Sequence, residues 1–269
     1  MADPEYSIPF KIRFAGKDAD DHRVEAYEGG RSILGMTRAI QIVTQSYLNQ
    51  VAVSRATALH DGEIYLAGVK PGSLLFDFDL NILKRSIGVP KDRDTFFDFL
   101  STILSRASGQ KYAPKSAYVQ RLDADKEDDL LDLTVEAVED PLKEGHRAIG
   151  NSIGQISIDR PRNGTIMVFD PETKLYLQSS IVDEDWGHLS GHVTRFNAIT
   201  GNGRAYITSL QKIIPFRLDE GFPAGKRGHI TWSLHGSNIN TAKKLTFDAK
   251  RISSQSGAVK RLTILDCDQ

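Results

Sequence analysis

The chain has 269 residues, 40% hydrophobic and 26% charged, with a net charge of −1 and one cysteine. This composition suits a globular protein with a real core, and no apolar run approaches the ~18 residues of a membrane span. The lone Cys267 excludes an internal disulfide and any multi-cysteine metal site, and the polar start Met1-Ala2-Asp3-Pro4-Glu5-Tyr6 lacks a secretion signal, so cytoplasm is the expected compartment.

The N-terminal half reads as α+β. Tyr6 to Phe14 alternates, with Ile8, Phe10, Ile12 and Phe14 on one face, as in a half-buried strand. The polar stretch Gly16-Lys17-Asp18-Ala19-Asp20-Asp21-His22 is a loop whose Asp residues suit a helix start. A helix to about Asn49 follows, because Ile33, Met36, Thr37, Ile40, Val43, Tyr47 and Leu48 fall at three- and four-residue spacing. Gly29-Gly30 weakens its first turns and marks a kink. Strands over 63–69 and 73–80 flank the turn Lys70-Pro71-Gly72, where Pro presets φ and Gly accepts positive φ. Helices are expected from Asp94 to Arg106, from Asp128 to Glu139, and over 141–153, opened by Asp140-Pro141.

After Asp159-Arg160-Pro161-Arg162-Asn163-Gly164 the chain reads as short strands, at 165–169, 174–181, 190–197, 204–208, 211–217, 228–234, 244–252 and 258–265. That spacing predicts a barrel or sandwich. The expected division is an α+β domain over 1–160 and an all-β, antiparallel barrel over 161–269.

Charge divides the same way. Residues 1–160 carry 20 Lys and Arg against 25 Asp and Glu, whereas 195–261 carry 12 basic residues and only Asp219, Glu220 and Asp248 as acids. A basic stretch of that size attracts phosphates. The pairs Lys226-Arg227, Lys243-Lys244, Lys250-Arg251 and Lys260-Arg261 extend it toward a groove, although neighbours in a strand face opposite sides.

The segment Gly191-His192-Val193-Thr194-Arg195-Phe196-Asn197 followed by Gly201-Asn202-Gly203 and a second strand resembles the first hairpin of a cold-shock domain. The matching residues are Gly191, Val193, Phe196, Asn197, Gly201 and Gly203, within 17 of the 269 residues. The resemblance implies an OB-like barrel, a fold used to bind single-stranded nucleic acid. Where cold-shock domains stack bases on aromatics, this chain carries Arg195, Asn202 and Arg204; a guanidinium plane also stacks on a base and contacts phosphate. The candidate ligand-binding residues are therefore Arg195, Arg204, Tyr206, Lys212 and Arg217, with Phe216 and Trp232 as further aromatics. The whole chain, through Gly16–His22 and Pro71-Gly72-Ser73, also resembles uncharacterised bacterial two-domain proteins with links to mobile elements or phage defence.

Two clusters invite a metal reading, Asp18-x-Asp20-Asp21-His22 and Asp183-Glu184-Asp185 with His188 and His192. Neither has the spacing of a zinc or EF-hand motif, so capping and surface polarity explain them and no metal or cofactor is expected. No Walker loop, nucleophile elbow or dinucleotide fingerprint is present. The leading expectation is a non-enzymatic protein whose basic barrel binds nucleic acid or a nucleotide-type ligand, with the α+β half serving oligomerisation or a protein partner and no membrane role. The alternative is an assembly module of a defence or phage-encoded system, self-associating through 33–48. A metal-dependent hydrolase using Asp18, His22, His60 or His188 is third.

Overall fold

The computed structural model describes residues 5–53, 59–70, 74–84, 87–125, 130–162, 164–178, 181–183, 187–239, 241, 243–253 and 259–269. The expected turn at Pro71-Gly72 and the acidic run at Glu127–Asp129 lie outside them. The chain divides into two compact units, residues 1–123 with 130–178, and residues 179–269 with 124–129.

The first unit is α+β with an antiparallel sheet in the order β2-β3-β1-β4-β5. Its strands are β1 (Tyr6–Ala15), β2 (Gly62–Lys70), β3 (Leu74–Ile82), β4 (Gln155–Arg160) and β5 (Gly164–Phe169). Its helices are α1 (Ala26–Asn49), α2 (Arg93–Ala107), α3 (Ala117–Ala124), α4 (Leu130–Gly145) and α5 (Pro171–Gln178). Alternation sets the sheet: Ile8, Phe10, Ile12 and Phe14 of β1 are buried, in register with Phe76, Phe78 and Leu80 of β3. Helix α1 runs unbroken through Gly29-Gly30, started by the Glu25 carboxylate, which accepts from the backbone N–H of Tyr27 and Glu28. From Ile42 to Leu48 it is buried on every side, so most of the stripe expected to mediate self-association is spent inside the unit.

Several local expectations are corrected. Asp92, not Asp94, caps α2, accepting from the Thr95 N–H at 2.7 Å, while Asp94 pairs with Arg160. The two helices expected around Asp140-Pro141 are one helix, α4, with Pro141 buried inside it. Pro141 forfeits one helical hydrogen bond, but it sits where α4 meets α1. A Cβ on Gly35 of α1 would come within 2.6 Å of the Pro141 carbonyl oxygen and 2.7 Å of the Gly145 Cα. The two backbones are that close only because residue 35 has no side chain. Residues 171–178 form helix α5, not a strand: Asp170 accepts from the Thr173 N–H at 2.9 Å, and Thr173 and Leu177 lie one turn apart against the core. Because β4 pairs with β1 and β5 with β4, the first unit extends past the expected boundary near residue 160, to Gln178.

The second unit is a closed five-stranded barrel with one helix. Its elements are β6 (Ile181–Val182), β7 (Gly187–Phe196), β8 (Asn202–Ile207), β9 (Lys212–Leu218), α6 (Arg227–Asn238), β10 (Leu245–Ser253) and β11 (Val259–Asp268). The cycle is β7-β8-β9-β11-β10 and back to β7, with β6 added beside β10. All barrel pairs are antiparallel except β9 with β11, so the expectation of a purely antiparallel barrel is corrected at that seam. The parallel seam arises because α6 carries the chain across between β9 and β10. Residues 228–234, expected among the short strands, lie in helix α6. The residues buried in α6 are Ile230, Ser233 and Gly236, a helical spacing.

Helix α6 is tied to a bulge in β7. The register with β8 shifts between Val193 and Arg195, and the β10 pairing covers β7 only from Gly187 to Gly191. The Val193 N–H donates to Ser233 Oγ at 2.9 Å, and the Val193 carbonyl accepts from Ser237 Oγ at 2.5 Å. The two serines thus bond the Val193 backbone beyond the end of the β10 pairing.

Candidate functional site

The site is built by period-two alternation on β7, β8 and β9. Val193, Ala205, Ile207, Ile214, Phe216 and Leu218 face the barrel core. Their neighbours face out. On β8 these are Asn202, Arg204 and Tyr206; on β9 they are Ile213, Pro215 and Arg217. The registers His192–Tyr206–Ile213, Arg204–Pro215 and Asn202–Arg217 set them in rows across the strands.

The first row is aromatic and apolar. The His192 and Tyr206 rings lie 5.3 Å apart, centre to centre, tilted by 30°. Ile213 beside them is 53% exposed. Burial, and then the Lys244 ammonium, lower the His192 pKa, so the imidazole is the neutral form at pH 7. Its Nδ1 is buried and makes no hydrogen bond within the described residues. Cations flank the row. Arg204 is half-buried and its backbone carbonyl accepts from Thr194 Oγ1 at 3.2 Å. Arg217 is exposed, with only a long 3.9 Å approach to Glu220. The three strands contain no acidic residue.

Of the five residues expected from the sequence, the structure brings Arg204, Tyr206 and Arg217 onto one outward face. Arg195 is corrected: it is 4% exposed. The bulge sets it opposite Arg204, while Phe196 beside it enters the core opposite Gly203, so Arg195 lies on the Arg204 side of the wall but buried. Lys212 is exposed but pairs with inward-facing Ile207 at the strand end, off the rows. The expectation missed His192, Ile213 and Pro215, although the inward Val193, Ala205 and Ile214 specify their side by alternation. Gly201 and Gly203 also separate in role. Gly201 takes positive φ, 74°, in the turn, whereas a Cβ on Gly203 would meet the Phe216 ring at 2.7 Å.

The basic pairs do not converge into one groove. Lys226 is held by Asp266 and Asp268, both at 2.8 Å, and these two carboxylates drive its pKa up. Lys243 lies over the Trp232 ring at 5.0 Å, and Lys260 is buried. The acids of the barrel strands, Asp248, Asp266 and Asp268, all lie on β10 and β11, where Asp248 bonds His188. Of the other residues in the expected cluster around His188, Glu184 and Asp185 lie outside the described residues. In the other expected cluster, Asp20 accepts from the Gly16 N–H at 2.7 Å and so shapes the loop. Among the described residues no three His, Cys, Asp or Glu side chains are grouped to hold a metal ion. Among them, too, no helix is long and apolar enough to cross a membrane.

A family model described as a domain of unknown function (DUF7946) matches residues 10–178. The chain belongs to the DUF7946 family. That match covers β1 through α5 and ends where the first structural unit ends. A second model, described as a family of unknown function (DUF7947), matches residues 185–268, which hold every strand of the closed barrel. No curated protein and no solved structure matches the chain. The DUF7946 part is thus joined to a barrel part with a family description of its own.

Proposed function

We propose that the barrel is OB-like and that its β7–β9 outward face binds nucleic acid or a nucleotide-type ligand. The fold reading rests on the strand cycle, on the parallel closure of β9 with β11, and on a helix between the third and fourth barrel strands. OB barrels bind such ligands on the face of their second and third strands, which here are β8 and β9. The observation that carries the functional reading is the composition of that face. Arg204 and Arg217 supply phosphate contacts, Tyr206 supplies a ring, and the acids of the barrel strands sit on the other wall.

The test is fluorescence anisotropy of the full chain with labelled single-stranded and duplex DNA and RNA at two salt concentrations. Binding is expected to weaken as salt rises, because phosphate neutralisation releases counterions. The Arg204→Ala/Arg217→Ala variant is expected to bind more weakly and to lose about two units of the log–log salt slope. Absence of binding to every one of these nucleic acids overturns the reading and moves the search to protein partners.

A further inference from the structure

We propose that the cleft between α1, α4 and α5 of the first unit binds a phosphorylated polyol, a small sugar or glycerol carrying one phosphate. The site belongs to the DUF7946 part and does not rest on the nucleic-acid reading of the barrel. It is built by the turn that follows α4. The turn spends backbone N–H groups on itself: Ile149 donates to the His146 carbonyl at 3.1 Å, Gly150 to Ile153 at 2.8 Å and Asn151 to Ala148 at 3.1 Å. The carbonyls of Arg147, Ile149 and Gly150 are taken by ammonium groups. Lys174 Nζ of α5 donates to the Arg147 and Ile149 carbonyls at 3.0 and 2.5 Å, and Lys17 Nζ donates to the Gly150 carbonyl.

Three cations therefore meet at one turn, Lys17, Lys174 and Arg147 itself. Among the described residues Lys17 and Lys174 make no ion pair, and Arg147 approaches a carboxylate, that of Glu144, only at 4.0 Å. The acids of the cleft are already engaged. Both Glu28 oxygens accept from Asn151 Nδ2 at 3.0 Å, Arg31 Nε holds Glu144, and Lys143 holds Asp140 at 2.9 Å. Burial first, then Arg147 and Lys17, lower the Lys174 pKa against the upward pull of Glu28. A phosphate seated at this turn relieves the repulsion among the cations and takes charge-assisted hydrogen bonds from Lys174 and Arg147. The Arg147 guanidinium is steadied for this by the Tyr27 ring, 5.3 Å from its centre.

The rest of the cleft selects what the phosphate is attached to. Its volume is about 380 Å³, at the small end for a ligand pocket, which suits one small molecule rather than a chain. Ligand pockets are usually lined by apolar and aromatic side chains. Here every lining residue is polar or charged, so a base or an acyl chain gains nothing. Glu28, Glu144, Asn151 and Gln178 instead offer carboxylate and amide oxygens. These oxygens repel a second anion but accept from hydroxyl groups, and the strongest such bonds are those to the carboxylates.

The experiment is isothermal titration calorimetry of the full chain with ribose 5-phosphate, glycerol 3-phosphate, ribose and inorganic phosphate. Thermal unfolding of each variant runs alongside. Both phosphomonoesters are expected to bind about tenfold or more tighter than either inorganic phosphate or ribose, since each of those lacks one half of the contacts. Arg147→Gln and Lys174→Gln are each expected to weaken ribose 5-phosphate by about tenfold, the loss of one hydrogen bond from a charged donor. The Arg147 side chain is 44% exposed, so its variant keeps the test open should Lys174→Gln fail to fold. Glu28→Gln is expected to weaken ribose 5-phosphate more than inorganic phosphate, because the carboxylate serves the hydroxyls. Inorganic phosphate binding as tightly as ribose 5-phosphate overturns the polyol assignment, and ribose doing so overturns the phosphate. No binding of any of the four, or wild-type affinity in a folded Arg147→Gln, overturns the site.

Discussion

Both units bury ionisable groups, Asp98 and His146 in the first and Arg195 and Lys260 in the barrel, but they differ in what a strand face turns outward. In the first, ionisable groups go inside and are consumed there. Asp98 of α2 is buried and accepts from Tyr112 Oη at 2.8 Å, the Lys115 and Ser116 N–H groups, and Ser116 Oγ at 2.6 Å. Burial alone raises its pKa, but these donors outweigh burial and hold the carboxyl below its usual range. Burial, and then the same bond, pushes Tyr112 up to about 12. His146 is also internal: its Nδ1 lies 2.7 Å from the Leu142 carbonyl and its Nε2 3.1 Å from Thr173 Oγ1, with the ring against Phe169. In the barrel, the β7–β9 wall instead turns Arg204, Tyr206, His192 and Arg217 outward. The contrast teaches that a polar group fastened inside reports on stability, whereas polar side chains on a strand face are replaced at little cost to the fold.

That contrast can be broken first at the helix contact. Gly35→Leu drives a side chain into Pro141 and Gly145, and is expected to cost about 3 kcal/mol or more in denaturant unfolding. A wild-type midpoint in that variant contradicts the packing.

His146 comes next, through pH. Its folded pKa is depressed to about 4 by burial, against 6.5 ordinarily. Above pH 6.5 the group is neutral in both states and costs nothing. As pH falls from 6.5 to 4 the unfolded chain takes up a proton that the folded chain refuses, so stability falls by about 1.4 kcal/mol per unit, roughly 3 kcal/mol in all. His146→Phe keeps a ring against Phe169 and removes this component from the slope. Equal pH slopes for the two proteins would contradict a neutral buried imidazole.

Asp98→Asn keeps the shape but puts an NH2 among donors, and is expected to cost about 2 kcal/mol by thermal or chemical unfolding. At the other extreme stands Arg217→Ala on the barrel face, expected to change stability by under about 0.5 kcal/mol while weakening nucleic-acid binding. A stability loss as large as that of Asp98→Asn would place Arg217 among the structural groups and erase the comparison.

How much of this was legible in the sequence follows from how local each signal is. Strand β1, helix α1, the β2–β3 hairpin and α2 announce themselves by alternation or three-to-four spacing over nine residues or more. Helices α3 and α5 have eight residues each, too short for a stripe to develop, and α6 imitates a strand because Ile230, Trp232 and Leu234 alternate. The first unit reaches past residue 160 because β4 returns to β1, a long-range pairing, and carries β5 with it. At the site, Arg204, Tyr206 and Arg217 follow from strand period alone. His192 and Ile213 join them only through register, and the bulge that sets a buried Arg195 opposite Arg204 leaves no mark in the local pattern.

The most direct test of the central claim is amide chemical-shift mapping of the isotopically labelled full chain as a mixed-sequence single-stranded oligonucleotide is added. The account expects the largest shifts at His192 and Thr194, at Asn202 to Tyr206 and at Ile213 to Arg217, with β10 and β11 near Asp248 and Asp266 unmoved. Shifts centred on the Asp248–Asp266 wall, or no shifts anywhere in the barrel, would contradict it.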